Sequence, residues 1–163
     1  MKSSAFLFSF IILASIIVSC NKQELLTALP VEEPSLVSFK QDTVAVSLSV
    51  TQARKEMIGS MLVTAIDGKM PDSILNKSNL IIRVTGDSAR LYSNTEIFAS
   101  YTDSLGNSFS SDIADTINTV KFIKLEKIKD GISTGSFTIR VSNLTKSKTF
   151  ILSNGKFNTK MIE

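Results

Sequence analysis

Four carboxylates lie close together in the middle of the chain, and their type and spacing come nearest to hydrolytic chemistry. They are Glu96, Asp103, Asp112 and Asp115. A glycosidase needs two carboxyl groups across a cleft, about 5 Å apart in retaining enzymes and about 6.5–9.5 Å apart in inverting ones. These four fall among Ser, Gly and Asn residues that mark turns, where Asp side chains bond to the local backbone. Solvated turn residues are therefore the favoured interpretation, and we predict no catalytic residue.

Oxygen-bearing side chains in the same stretch are also candidate calcium ligands. Asp103, Asn107 and Asp112 do not have the spacing of the EF-hand loop, with its alternating acidic residues, central Gly and final Glu. Asp and Asn are frequent in turns for purely local reasons. We therefore predict no metal site and no cofactor.

Sugar recognition usually relies on exposed Trp or Tyr rings, and the chain offers few of them. It contains ten Phe, two Tyr and no Trp. Tyr92 and Tyr101 are the residues that could stack on a sugar. The core or the rim of a strand is the more frequent place for such residues, so neither is predicted to form a binding site.

Missing residue types exclude several classes of protein. The 163 residues include no histidine and one cysteine. Ser-His-Asp and Cys-His nucleophile systems, His- or Cys-rich zinc and haem sites, and intramolecular disulfides are therefore excluded. The 18 basic and 15 acidic residues leave a net charge of +3, which is too small to indicate nucleic acid as a partner.

The single cysteine follows an apolar segment near the start of the chain. Lys2 precedes an apolar run from residue 5 to residue 18. This run is shorter than the roughly 20 residues that span a bilayer and suits the apolar region of a secretory signal peptide. It ends in Ile17-Val18-Ser19-Cys20, which resembles the lipobox of bacterial lipoproteins. The resemblance implies that the Cys20 thiol takes a diacylglyceryl group and that the peptide is cut before Cys20.

Two alternatives to lipid attachment remain open at this point. Cys20 could be a free cysteine in a signal-anchor helix, or an ordinary signal peptidase could cut the chain, although Ala14 and Ser19 form a poor cleavage pair. Lipid attachment is favoured because a lone cysteine in an exported chain is otherwise a reactive thiol. Two or three acyl chains also anchor a protein stably, whereas one does not.

The sequence predicts three consecutive parts. Residues 1–19 form the signal peptide, residues 20–36 a linker that carries the lipid, and residues 37–163 a β-rich domain. After the cysteine, Asn21-Lys22-Gln23-Glu24 contains one acid and one base. Surface-export signals of the resembled lipoproteins are rich in acids at this place, so the resemblance favours the periplasmic side of the outer membrane over the cell surface.

Short stretches of alternating apolar and polar residues, separated by Gly, Asn and Asp, predict an all-β fold from Phe39 onward. The expected architecture is a single antiparallel β-sandwich or a partly closed barrel. Residues 44–50 are predicted as one half-buried strand. Residues 52–60 are ambiguous between a helical turn and a loop, as are residues 70–78. Further strands are predicted at residues 61–66 (closed by Asp67-Gly68), 79–85, 95–102 and 108–111.

The C-terminal part has the clearest strand pattern. Strands are predicted at residues 120–128, around Phe137, Ile139 and Val141, at 149–153 and at 156–161. Asn154-Gly155 is expected to join the last two as a hairpin, so that four strands form a meander. Gly135, Phe137 and the segment Asn154-Gly155-Lys156-Phe157 are similar to the C-terminal part of uncharacterised β-rich lipoproteins from Bacteroidota. The similarity implies location and fold, and it carries over no catalytic residue.

Charge is concentrated in the same C-terminal part. Residues 116–163 contain nine basic and three acidic residues, a local charge of +6. We predict a patch for an anionic partner from Lys121, Lys127, Lys129 and Arg140. The alternative is that these side chains only keep strand edges soluble.

These observations predict a non-catalytic lipoprotein of the cell envelope with a binding or structural role. Its partners are the outer membrane, through the lipid on Cys20, and an anionic polysaccharide or an envelope protein. The rival functions are a carboxylate-dependent hydrolase of envelope polymers, and an inhibitor or ligand carrier with an apolar pocket.

Lipid attachment is tested directly by replacing the cysteine. The mature protein should be labelled by palmitate, and Cys20→Ala should abolish both labelling and membrane retention, because no other thiol is available. Labelling that survives Cys20→Ala would overturn the lipoprotein assignment.

Overall fold

Alternating apolar residues form eleven strands in the part of the chain that the structure describes, residues 34–71 and 75–162 of a computed structural model. A 3-10 turn lies at Asn94–Glu96. The strands are β1 (Leu36–Gln41), β2 (Val44–Leu48), β3 (Val50–Ile58), β4 (Met61–Lys69), β5 (Asn79–Thr85), β6 (Leu91–Ser93), β7 (Ile97–Thr102), β8 (Ser108–Ser111), β9 (Thr119–Lys124), β10 (Ile132–Ser142) and β11 (Thr149–Lys160). The predicted signal peptide, Cys20 and residues 21–33 of the predicted linker lie outside the described residues.

The strands form one antiparallel sheet that is nearly closed into a barrel. Its order is β2-β1-β11-β10-β8-β7-β5-β4-β3, and β9 pairs with both β10 and β6. The sheet approaches closure where Met161, just after β11, bridges Ala53 on the edge strand β3, and the Ile162 N–H donates to the Ala53 carbonyl at 2.9 Å. The predicted all-β class, with a sandwich or partly closed barrel, is confirmed.

The inner face of this sheet carries the core. In β10 the buried and half-buried residues alternate without a break, so Phe137, Ile139 and Val141 point inward as predicted. Aromatic rings link the strands in edge-to-face pairs, with ring centroids 5.6 Å apart for Phe39–Tyr101 and 5.0 Å apart for Phe122–Phe157. All described strands lie within residues 36–160, and their buried side chains form one hydrophobic core.

The expected hairpin at Asn154-Gly155 is wrong, because β11 runs through it as one strand. Between the pairs Phe137–Gly155 and Ile139–Leu152, β10 advances by two residues and β11 by three. The extra residue makes a β-bulge, and Asn154 has a left-handed backbone with φ of 52°. The C-terminal meander therefore has three strands, β9, β10 and β11, instead of four.

Gly155 is required at this bulge because the ring of Phe137 occupies the space of a side chain. A Cβ atom on Gly155 would lie 2.5 Å from two carbon atoms of that ring. The same two residues pair directly across the strands. A packing constraint, and not a turn, explains the glycine.

Three other boundaries differ from the prediction. Residues 52–60 lie mostly in β3, where alternate side chains form ion pairs on the outer face, so neither a helical turn nor a loop is present there. Asp67-Gly68 lies inside β4, and Gly68 is kept small by Val37, whose Cβ is 3.0 Å from the position of an added Cβ. Strand β9 ends at Lys124 instead of residue 128.

The predicted strand 44–50 is split into β2 and β3 at Ser49, and Val44 and Val50 are exposed instead of half-buried. The described residues between β4 and β5 form no helix, and residues 72–74 lie outside the described part. Within the described ranges, no helix is long and apolar enough to cross a membrane.

Replacing Gly155 tests the packing at the bulge. Gly155→Ala should lower the free energy of unfolding by about 1–3 kcal/mol, since overpacking costs that much in a core. Phe137→Leu removes the ring, so in the double variant the alanine should cost much less. Urea unfolding of the four chains measures this coupling, and strictly additive losses would contradict the proposed clash.

Candidate functional site

The outer surface of β9, β10, β11 and β1 carries a row of polar side chains that faces solvent. Ser136 on β10 pairs with Lys121 on β9 and with Lys156 on β11, and Lys156 pairs in turn with Ser38 on β1. Neighbouring strands are about 4.8 Å apart, so the two lysines flank the serine at roughly 10 Å from each other. Both lysines are exposed. We call this surface the basic face.

Hydroxyl and amide groups fill the rows on either side. Thr138 pairs with Thr119, Thr134 pairs with Asn158, and Lys40 pairs with Ser153. The four strands contain no Asp or Glu. The basic face therefore combines lysine ammonium groups with neutral hydrogen-bonding groups, and no carboxylate of its own strands neutralises them.

A shallow groove of about 590 Å³ lies in the middle of the basic face. Its walls include Lys121 and Lys156, and the bulge at Asn154 and Gly155 forms part of its lining. Ser136 and Thr138 contribute hydroxyl groups. Among the described residues, the ion pairs involve neither Lys121 nor Lys156. Both ammonium groups are thus available to an anionic ligand in this groove.

The structure places the four residues of the predicted patch in different settings. Lys121 lies on the basic face, whereas Lys127 and Lys129 lie in the loop that joins β9 to β10. Lys127 pairs with Asp87 at 3.2 Å, and Arg140, on the outer side of β10, pairs with Asp115 at 2.9 Å. Two of the four charges are therefore matched by carboxylates.

Lys156, next to Ser136 in the central row of the basic face, was not part of the predicted patch. The predicted hairpin at Asn154-Gly155 would pair the strand that contains Lys156 with residues 149–153 and not with β10. It therefore does not bring Lys156 close to Lys121. The bulge brings them close, because it pairs Lys156 with Ser136. The absence of acids from residues 132–142 and 149–160 is the signal in the sequence that could have identified this surface.

Three of the four candidate carboxylates, Asp103, Asp112 and Asp115, accept hydrogen bonds from the backbone of their own turns. Asp103 accepts hydrogen bonds from the backbone of Leu105 and Asn107 and from the Asn107 amide, and the bonds from Asn107 and Leu105 outweigh burial and keep its pKa low. Asp112 accepts from Ala114 and pairs with Lys146, and both contacts lower its pKa. Together with the pairing of Asp115, these contacts agree with turn residues.

Glu96 instead lies in a second groove, of about 490 Å³, together with Glu56. Arg83 donates to Glu56 at 2.5 Å, and this hydrogen bond is the main cause of the lowered pKa of Glu56. Arg90 binds Glu96 at 2.5 Å and lowers the pKa of Glu96 in the same way. A glycosidase keeps one carboxyl protonated by raising its pKa, and both of these are held ionised.

The tyrosines considered for sugar stacking are buried. Tyr92 and Tyr101 expose 0% and 1% of their surface. The Tyr92 hydroxyl donates to the Ser88 carbonyl, and the Tyr101 hydroxyl donates to the Gln41 side chain. Burial, with the nearby charge of Asp103, raises the pKa of Tyr101 to about 12. Both rings belong to the core, so stacking of a sugar on them is excluded.

Similarity to known proteins adds nothing to this description. No family model matches the chain, and neither a curated protein nor a solved structure matches it. Residues 34–71 and 75–162 contain no group of three acidic or cysteine side chains placed to hold a metal ion.

The ion pair between Glu56 and Arg83 should be visible in the way the free energy of unfolding changes with pH. In the folded protein the pKa of Glu56 lies below the ordinary 4.5, so the stabilisation by this ion pair is fully present above pH 4.5. It is lost as the pH falls through the folded pKa. Glu56→Gln should therefore lose less free energy of unfolding than wild type between about pH 6 and pH 3. Glu126→Gln, at the more exposed Lys124 pair, is the matched control, and an unchanged slope for Glu56→Gln would refute the assignment.

Proposed function

We propose that the protein is a non-catalytic lipoprotein of the outer membrane whose basic face binds an anionic polymer of the cell envelope. The observation that carries the binding role is the row Lys121–Ser136–Lys156, which lies on three neighbouring strands without a carboxylate. The lipobox at Ile17–Cys20 supports the location. The charges around Asn21-Lys22-Gln23-Glu24 favour the periplasmic side.

The chemistry of the basic face suits a polymer with repeated anionic groups. Lysine ammonium groups attract anions over about a Debye length, roughly 10 Å at 0.1 M salt. Serine, threonine and asparagine side chains can donate to and accept from sugar hydroxyls or phosphate oxygens. The surface is spread over several strands and is shallow, which favours an extended ligand over a small enclosed one.

The rival hydrolase has less support in the geometry. Its best location is the groove that contains Glu56 and Glu96, where both carboxylates are paired with arginines and have lowered pKa values. Neither carboxyl is in the protonated form that an acid catalyst needs near neutral pH. Binding without catalysis is the function that the arrangement of charges supports best.

Charge reversal on the basic face tests this function. The mature chain, residues 20–163 with Cys20→Ser, should bind lipopolysaccharide or an acidic polysaccharide at low salt and bind less as salt increases. Lys121→Glu/Lys156→Glu should bind at least about tenfold more weakly, because attraction becomes repulsion. Isothermal titration calorimetry at two salt concentrations measures both effects.

The control carries the same change of charge elsewhere. Lys77→Glu/Lys146→Glu alters two exposed lysines in loops away from the basic face, and it should keep most of the affinity. Equal binding by wild type and Lys121→Glu/Lys156→Glu, or no binding by wild type at low salt, would rule out the basic face as the binding surface.

A further inference from the structure

Asn154, the extra residue of the bulge in β11, has no direct partner on either neighbouring strand. None of the Cα pairs that join β11 to β10 and to β1 includes it. The residues on either side are paired, Ser153 with Lys40 on β1 and Gly155 with Phe137 on β10. Asn154 is exposed and has a left-handed backbone with φ of 52°. Its backbone is therefore held less directly by the sheet than the backbone of its neighbours.

The side chain of Asn154 is free, and a glycine follows it. The Asn154 amide forms no hydrogen bond with the residues that the structure describes. Residues 154–155 are the one Asn-Gly sequence in the chain. Because glycine has no Cβ, nothing shields its backbone nitrogen from the asparagine side chain. Asn107 differs on both points, since its amide donates to Asp103 at 2.9 Å and Ser108 follows it.

We propose that Asn154 deamidates spontaneously and that its product weakens the binding of anionic polymer to the basic face. The backbone nitrogen of Gly155 attacks the side-chain carbonyl carbon of Asn154 and closes a succinimide ring. The bond from that carbon to the amide nitrogen breaks, and the leaving group takes the Gly155 amide proton and departs as ammonia. Water then opens the ring at either of its carbonyl carbons. A neutral amide and a water molecule become a carboxylate and an ammonium ion, with no oxidant or reductant.

The two products of ring opening affect the bulge differently. Opening at the side-chain nitrogen bond of the ring in one direction restores the normal main chain and leaves aspartate at position 154. After glycine, Asn and Asp are the residues that most readily adopt a left-handed backbone, so aspartate preserves the bulge. Opening in the other direction leaves isoaspartate, which adds one carbon to the main chain at the residue that sets the register of Lys156.

The new carboxylate lies in the groove of the basic face. Asn154 lines this groove together with Lys121 and Lys156. Asn154 and Lys156 are both exposed and stand two residues apart on one strand, roughly 7 Å. Strands β9, β10 and β11 contain no carboxylate, so deamidation gives them their first negative charge. The effect on binding rests on the function proposed for the basic face, whereas the deamidation itself does not.

Peptide mapping by mass spectrometry tests the reaction. The chain of residues 20–163 with Cys20→Ser is stored at neutral and at mildly alkaline pH, and circular dichroism verifies that it stays folded. Asn154 should convert to the acid faster than Asn107. It should also convert faster at the higher pH, because the attacking nitrogen of Gly155 must lose its proton. Conversion of Asn154 that is no faster than that of Asn107 would overturn the proposal.

Substitutions at Asn154 test the effect on binding. Asn154→Asp reproduces one product, and Asn154→Gly is the matched control, since glycine also accepts a left-handed backbone and adds no charge. Asn154→Asp should bind lipopolysaccharide at low salt at least about threefold more weakly than Asn154→Gly, because the carboxylate offsets the attraction of the nearby lysine. Calorimetry of both variants measures this ratio.

The outcomes separate this proposal from the function of the basic face. Equal affinity of Asn154→Asp and Asn154→Gly, with wild type still binding, would overturn the effect of deamidation and leave the binding role intact. No binding by wild type would refute the binding role and, with it, the effect of deamidation on binding. The mass spectra decide in either case whether Asn154 reacts.

Discussion

The β-bulge at Asn154 and Gly155 is the constraint on which both faces of the C-terminal sheet depend. Side chains along a strand alternate between faces, so one extra residue reverses the alternation of everything that follows. Leu152 and Gly155 both point inward although they are three residues apart. After the bulge, Phe157 packs on Phe122 in the core and Lys156 points to solvent. A regular strand would bury the lysine and expose the phenylalanine.

The bulge links the core to the basic face. It holds Phe157 inside and Lys156 outside, so the basic face exists only in this register. The Ala53–Met161 bridge then brings the last strand against β3 and nearly closes the barrel. One sheet thus encloses the aromatic core and positions the lysines along one side.

Much of the fold follows from the local alternation of apolar and polar residues in the sequence. Strand β5 was predicted with its observed bounds, and the inward face of β10 follows from its alternation. Strand β3 is not evident in the sequence because Ala53, Met57 and Met61 are four residues apart, which also suits a helical turn. In the sheet, Arg54 pairs with Asp67 on β4 and Glu56 pairs with Arg83 on β5. Asn154-Gly155 has the sequence of a hairpin turn, and the contact between Gly155 and the Phe137 ring decides otherwise. The pairing of Arg140 with Asp115 likewise depends on contacts distant in sequence. Local sequence patterns determine where strands form. The register between neighbouring strands and the pairing of charged side chains depend on contacts that exist only in the assembled sheet.

Cysteine accessibility measures the register at the bulge most directly. In the Cys20→Ser chain, which has no other thiol, Lys156→Cys and Phe157→Cys place single cysteines on opposite faces of β11. Under native conditions a maleimide should modify Lys156→Cys at nearly the rate of the unfolded chain. Phe157→Cys should react on the order of a hundredfold more slowly, because labelling needs local opening. Faster labelling of Phe157→Cys than of Lys156→Cys would contradict the bulged register.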